Sequence, residues 1–365
     1  MNTLVYKGKT AVDYAKEACD TMIKKFKAED LPPKGRFHYH QGVLLSGMEK
    51  IYDLCKEEKY YEYIKAYVDS YFNQDGSINL HDIGMLDDLQ PGVLLFKLFA
   101  RTGEERYKNA LTRIVNIIKE FPTNEEGGFW HKHNCQHQMW LDGLYMAGPI
   151  CAQYAATFGS EEFFDLTAFQ ALLMEKKTRD PVTGLWYHAW DCSKQKAWAN
   201  KETGLSKEFW GRSIAWVPVA ILEELDHFPK EHKDREEMIR LTTDLLKAVC
   251  KYQDKASGLW YQVVDKGGRE GNWLESSCTC LFVAAICKAV REGYLDKVYL
   301  ENAELGYKGI INRLKYDENG VIIDNICIGT GVGDYKHYCD RPTSENDLHG
   351  VGAYLIMASE VAKTL

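Results

Sequence analysis

The sequence predicts an all-α protein: a closed (α/α)6 toroid of six helical hairpins, with short β pieces in its long loops. Three observations point there. Helical apolar periodicity recurs along nearly all of the 365 residues, and strand-like runs are confined to pieces such as "LWYHAWD" and "GVIIDNICI". Connections alternate regularly between short and long. The long ones also resemble one another: "EGGFWHKH", "TGLWYHAWD" and "SGLWYQVVD" each set Gly and Trp two residues apart. Stacked hairpins also permit an open α-solenoid as the competing arrangement.

Taken in order, the predicted helices span 10–28, 40–56, 59–73, 88–101, 104–120, 138–158, 161–178, 212–226, 235–254, 273–292, 295–313 and 347–364. Short links such as "KE", "RT", "GS" and "GY" follow the even-numbered helices, with a stretch near "HFPKEHKD" after the eighth. Long links rich in Gly, Trp, His and Asp follow the odd-numbered ones, so every long loop leaves the same end of the stack. The even helices belong inside. "LDGLYMAGPICAQYAATF" and "SSCTCLFVAAICKAV" are small and apolar nearly all round, whereas the third helix, "KYYEYIKAYVDSYF", carries charge on one face. Residues 1–365 are read as one domain.

Composition narrows the function. A net charge of -8 without a basic run argues against a nucleic-acid partner or an anionic membrane surface. The N-terminus shows neither a signal peptide nor a membrane span, so a cytoplasmic monomer is expected. The 11 cysteines are odd in number and scattered, which suits free thiols in a reducing compartment. The 9 Trp and 22 Tyr are more rings than a core needs, and spare rings line sugar-binding grooves.

In a toroid the starts of the inner helices share one cavity. That places Tyr39 and His40, Asp87 and Asp88, His131, His133, Asp142, His188, Trp190, Trp210, Arg212, Trp216, Trp273, Glu275, Tyr335, His337 and Arg341 around it. Acids, imidazoles, arginines and indoles in one bowl suit a sugar bearing a carboxylate. Asp87, Asp88 and Asp142 also stand where helix N-caps occur. Asp142 lies several residues inside the apolar run "HQMWLDGLYMAGP", and burial there predicts a carboxyl pKa raised toward neutrality. "HKHNCQH" has two metal-like histidines, His133 and His137, but no carboxylate partner nearby in sequence, so no metal or other cofactor is expected. "GTGVG" lacks the Lys-Ser/Thr of a phosphate loop and is read as a backbone turn against a sugar ring.

Together "HYHQGV", "HQMWLDGLYMAGP", "FWGRSIAW" and "GTGVGDY" resemble, in order and over nearly the whole chain, the unsaturated rhamnogalacturonyl hydrolases of glycoside hydrolase family 105. The resemblance implies the (α/α)6 barrel, no metal, a cytoplasmic role late in pectin breakdown, and a small oligosaccharide ending in a 4,5-unsaturated uronate. It implies Asp142 as proton donor. It implies Tyr39, His40, Asp87 (rather than Asp88), His131, His133, Arg212 and Trp216 as substrate contacts, with Gly333 and its neighbours closing the far side. His188 and Tyr335 are added from their place in the loops. The alternatives are an unsaturated glucuronyl hydrolase acting on glycosaminoglycan fragments and an inverting glycosidase on the same fold, which needs two carboxylates about 6.5–9.5 Å apart. A sugar epimerase using His131 and His188, and a non-catalytic scaffold, are the readings outside that class.

Overall fold

The inner ring closes on itself. The computed structural model describes residues 3–78 and 83–365. Twelve barrel helices alternate outer and inner: α1 (Ala11–Lys25), α2 (Tyr39–Cys55), α3 (Glu58–Asp69), α4 (Leu94–Thr102), α5 (Glu105–Lys119), α6 (Asp142–Phe158), α7 (Glu162–Thr178), α8 (Gly211–Leu225), α9 (Arg235–Cys250), α10 (Ser276–Arg291) and α11 (Leu300–Arg313) run in order, followed by a short α12 (Tyr335–Cys339) in the last long loop and by α13 (Leu348–Thr364). α13 packs on α2 and α10, α8 packs on α10 and α6, and the turn Gln90–Val93 that opens α4 packs on both α6 and α2. First and last inner helices in contact make a toroid, not an open solenoid.

Burial follows the ring. From Ser276 to Val290 α10 has no exposed residue, and α13 is buried from Leu348 to Val361. α5 instead buries one stripe, Tyr107, Ala110, Leu111, Ile114, Val115 and Ile118, against the ring.

Two inner helices begin later than the periodicity predicts. In "LDDLQPGVLLF" Pro91 has no N–H to give and Gly92 is flexible, so 86–88 and 90–93 form 3-10 turns and α4 starts at Leu94. Ahead of α6, Gln138–Trp140 is a strand paired antiparallel with Ala189–Asp191, so that the loops before α6 and α8 are stitched together. Four further two-stranded ribbons brace the loops and the N-terminus. Two of them, 320–322 with 315–317 and 326–327 with 343–344, use the "GVIIDNICI" stretch.

Candidate active site

The inner-helix starts enclose a cavity of about 280 Å³. Tyr39 and His40 reach it from the start of α2, Asp87 from the 3-10 turn, and Trp140, Asp142 and Met146 from the strand and first turn of α6. Trp210 and Arg212 come from the start of α8, and Gly329, Thr330 and Gly331 form the far wall.

Asp142 is the first residue of α6, not an interior one, and its side chain is 13 % exposed. The ribbon explains its partner. Trp140 pairs with Ala189, so His188 falls opposite Leu141, whose N–H donates to the His188 carbonyl (3.0 Å). The fully buried imidazole then sets Nε2 3.1 Å from Asp142 Oδ2. This corrects the expected raised pKa. Burial does push the Asp142 carboxyl up. The His188 hydrogen bond, with His188, His131 and Arg212 grouped around the carboxyl, outweighs it, and the group sits below the ordinary carboxylate range. A helix N-terminus favours an anion in the same sense.

Of the adjacent acids, Asp87 faces the cavity, while Asp88 pairs with Arg36 (Nη2–Oδ1 2.8 Å). Asp87 is approached by His131 Nε2 (3.4 Å), Lys132 Nζ (3.8 Å) and His38 Nε2 (3.9 Å). Burial holds His131 below the ordinary imidazole range, against the pull of Asp87, and its ring stacks on Trp140 (centroids 4.5 Å apart). Arg212 lines the cavity with its head turned into the wall: Nη1 donates to Cys327 O (2.5 Å), Nη2 to Ile328 O (2.9 Å), and the guanidinium lies over Trp210.

Five expected contacts do not line the cavity, His188 among them, since it stands fully buried behind Asp142. After Lys132 the chain turns, Cys135 N–H bonding back to Lys132 O, and His133 is carried out against Phe121. Trp216 is one helical turn beyond Arg212, 1 % exposed and stacked on Tyr145, deep in the barrel. Tyr335 turns outward and donates to Glu270 O (2.8 Å). Gly333 N–H donates to Tyr338 Oη (3.2 Å), one step behind the wall that Gly329–Gly331 form. Glu275 is a buried N-cap of α10, bonded to Cys278 N–H and Cys327 N–H.

Sequence reading missed His38 and Lys132, which line the cavity, and Asp347, His349 and Tyr338 just behind it. Asp347 begins the sixth inner helix, where the convergence argument already pointed. Its Oδ1 lies 3.3 Å from His40 Nδ1 and 2.8 Å from His349 Nδ1. Burial, with Arg212 nearby, lowers His349 to about 4.

Among the described residues three clusters have ligand atoms close enough to share a cation: His40, Asp347 and His349 at the cavity, and, away from it, Glu125, His137 and Cys192, and Asp165, His232 and Asp234. The second supplies the carboxylate that "HKHNCQH" lacks in sequence. It comes from the preceding loop, with Glu125 Oε1 2.9 Å from His137 Nδ1.

The family model described as Glycosyl Hydrolase Family 88 matches residues 14–365. A solved family 105 glycoside hydrolase from C. acetobutylicum is 37% identical and superposes with a TM-score of 0.91, over 96% of this chain and 99% of that one. The chain belongs to the family 88/105 glycoside hydrolases. The unsaturated rhamnogalacturonyl hydrolase YesR of Bacillus subtilis is 26% identical over 88% of this chain and 89% of its own. This family 88/105 enzyme also shares its fold with the unsaturated glucuronyl hydrolase of Bacillus sp. GL1, at a TM-score of 0.70 and 13% identity, covering 95% of each chain.

Proposed function

We propose that this enzyme releases the terminal 4,5-unsaturated galacturonyl residue from rhamnogalacturonan-derived oligosaccharides by hydrating the C4=C5 double bond. The observation that carries this is Asp142, which lines the cavity beside Asp87 and is the carboxyl held from behind by His188. The likeness to YesR supports the sugar.

The double bond is a vinyl ether, in which the ring oxygen pushes electrons toward C4. Asp142 gives its proton to C4, leaving an oxocarbenium-like cation at C5. The carboxylate so formed takes a proton from water as the water oxygen bonds to C5, which restores the acid. The resulting hemiketal opens between C5 and the ring oxygen, and the hemiacetal left at C1 collapses to an aldehyde, releasing the neighbouring sugar. Because Asp142 is an anion in the free enzyme, it takes up a proton from solvent as the anionic substrate binds and displaces water beside it, which raises its pKa. Tyr39, His40, Asp87, His131 and Arg212 are assigned to substrate binding or to the wall that shapes it. His133, Trp216, Gly333 and Tyr335, off the cavity, act on the substrate only through that wall, and His188 only through Asp142. In this reading residues 1–365 work as a single catalytic domain, a cytoplasmic monomer without metal or cofactor.

The test is direct. Unsaturated disaccharides from rhamnogalacturonan and from glycosaminoglycans are each incubated with the enzyme while the absorbance of the conjugated double bond is followed. Loss with the rhamnogalacturonan product is expected. Loss with the glycosaminoglycan product alone would select the glucuronyl reading, and no loss with either would refute hydration.

A further inference from the structure

Behind the acid stands a group that the reaction as written does not use. Tyr338 is fully buried, the fourth residue of the five-residue helix α12. Its ring lies nearly parallel to Trp210 (15°), and its carbonyl accepts from Gln262 Nε2 (3.1 Å). Its hydroxyl has two partners: Gly333 N–H at 3.2 Å and His188 Nδ1 at 2.7 Å.

The hydrogen positions follow from what each atom can do. An amide N–H only donates, so the Tyr338 oxygen accepts from Gly333. No other partner takes the phenolic hydrogen, and a buried O–H left without one is costly, so it points at His188 Nδ1. A nitrogen that accepts carries no hydrogen. His188 therefore bears its hydrogen on Nε2, the atom 3.1 Å from Asp142 Oδ2, and the carboxylate oxygen accepts it. The chain is Gly333 to Tyr338 to His188 to Asp142, with one hydrogen in each link.

We propose that Tyr338 is a positioning residue for the acid: its hydroxyl fixes the His188 tautomer that presents Nε2–H to Asp142, and ties it to the glycine loop. That loop, through Gly329–Gly331, is the far wall of the cavity. Gly333 itself admits no side chain, since a Cβ there would come within 2.3–2.6 Å of His337. The orientation of the acid and the seating of the wall thus share one hydroxyl. The proposal rests on Asp142 as the proton donor.

The experiment has a part that needs no substrate. Long-range 15N–1H correlation on the free enzyme, with the His188 signals assigned by their loss in His188→Gln, is expected to show hydrogen on Nε2 and a bare Nδ1. Hydrogen on Nδ1 would overturn the proposal even if the enzyme hydrates its substrate as proposed. In Tyr338→Phe the bare Nδ1 resonance is expected to move as it loses its donor, kcat to fall about tenfold, and KM to stay within about twofold. An unmoved resonance, or an unchanged kcat, would equally overturn it. If Tyr338→Phe does not fold, the wild-type tautomer decides alone. A wild-type enzyme with this tautomer but no hydration activity would instead strike at the proposed function.

Discussion

At the residue scale, Asp142 carries both the strongest expectation and its correction. The run "MWLDGLYM" was read as a desolvated setting that raises a carboxyl pKa. Burial does act that way, but His188 arrives from a loop 46 residues away, and no local pattern shows it. The sign of the pH dependence follows. A carboxyl held below its ordinary range is deprotonated in the free enzyme near neutrality, so the protonated form becomes scarcer as pH rises. kcat/KM is expected to fall with rising pH between about pH 5 and pH 8. A profile that rises over that interval would show that Asp142 does not enter the reaction as an acid. Arg212 is a second case. Two guanidinium nitrogens hold the Cys327 and Ile328 carbonyls, so Arg212→Ala leaves Ile328 O unpaired in a buried wall and Cys327 O with His349 Nε2 (3.1 Å) as its remaining side-chain partner. The expected cost is about 1–3 kcal/mol for the orphaned Ile328 acceptor, seen as a lower Tm together with a higher KM. An unchanged Tm with a raised KM would make Arg212 a substrate clamp alone.

At the scale of elements, the helices were legible because a barrel of hairpins is written in periodicity and loop length. Their starts were not, because other forces set them. Pro91 and Gly92 broke the start of α4 into 3-10 turns, which delivered Asp87 to the cavity and Asp88 to Arg36. Pairing with a distant strand claimed 138–140, and with it the start of α6. The stretch "GTGVGDY" points to Gly333 and Tyr335 at the cavity, yet α12 begins at Tyr335 and it is Tyr338, one turn on, that reaches His188. Motif and loop position point His133, Trp216 and Tyr335 at the cavity, but a turn, a helical step and a bond to Glu270 O take them elsewhere, none of which a motif encodes. Ring closure also makes a prediction at this scale. α2 and α13 cross so closely that a Cβ on Gly352 would lie 2.3 Å from the Val43 carbonyl oxygen. Gly352→Ala is expected to cost about 1–3 kcal/mol by forcing two backbones apart, read as a lower melting temperature. A variant as stable as the parent would mean that this crossing is not tight.

At the scale of the whole molecule, the toroid explains why groups from five separate loops meet. The inner helices start at the same rim, so residues as far apart in sequence as Tyr39 and Gly331 surround one cavity, with contacts such as His40 to Asp347 (3.3 Å) behind it. Among the described residues no helix is long and apolar enough to cross a membrane. Proton transfer by a carboxyl asks for no cation, so dialysis against EDTA is expected to leave the rate unchanged. A loss restored by zinc or manganese would assign an ion to the set His40, Asp347 and His349.

The central claim is that Asp142 delivers a proton to C4. Asp142→Asn is expected to fold and bind substrate while losing roughly 10²–10⁴-fold in kcat, the range a positioned acid–base group supplies. The most direct measurement is turnover in heavy water, quenched early so that the keto product does not exchange at C4 unaided. The account predicts one deuterium at C4, placed on a single face, and none at C4 when Asp142→Asn is substituted at equal exposure. A product without deuterium at C4, its sugar released by attack at C1, would contradict it.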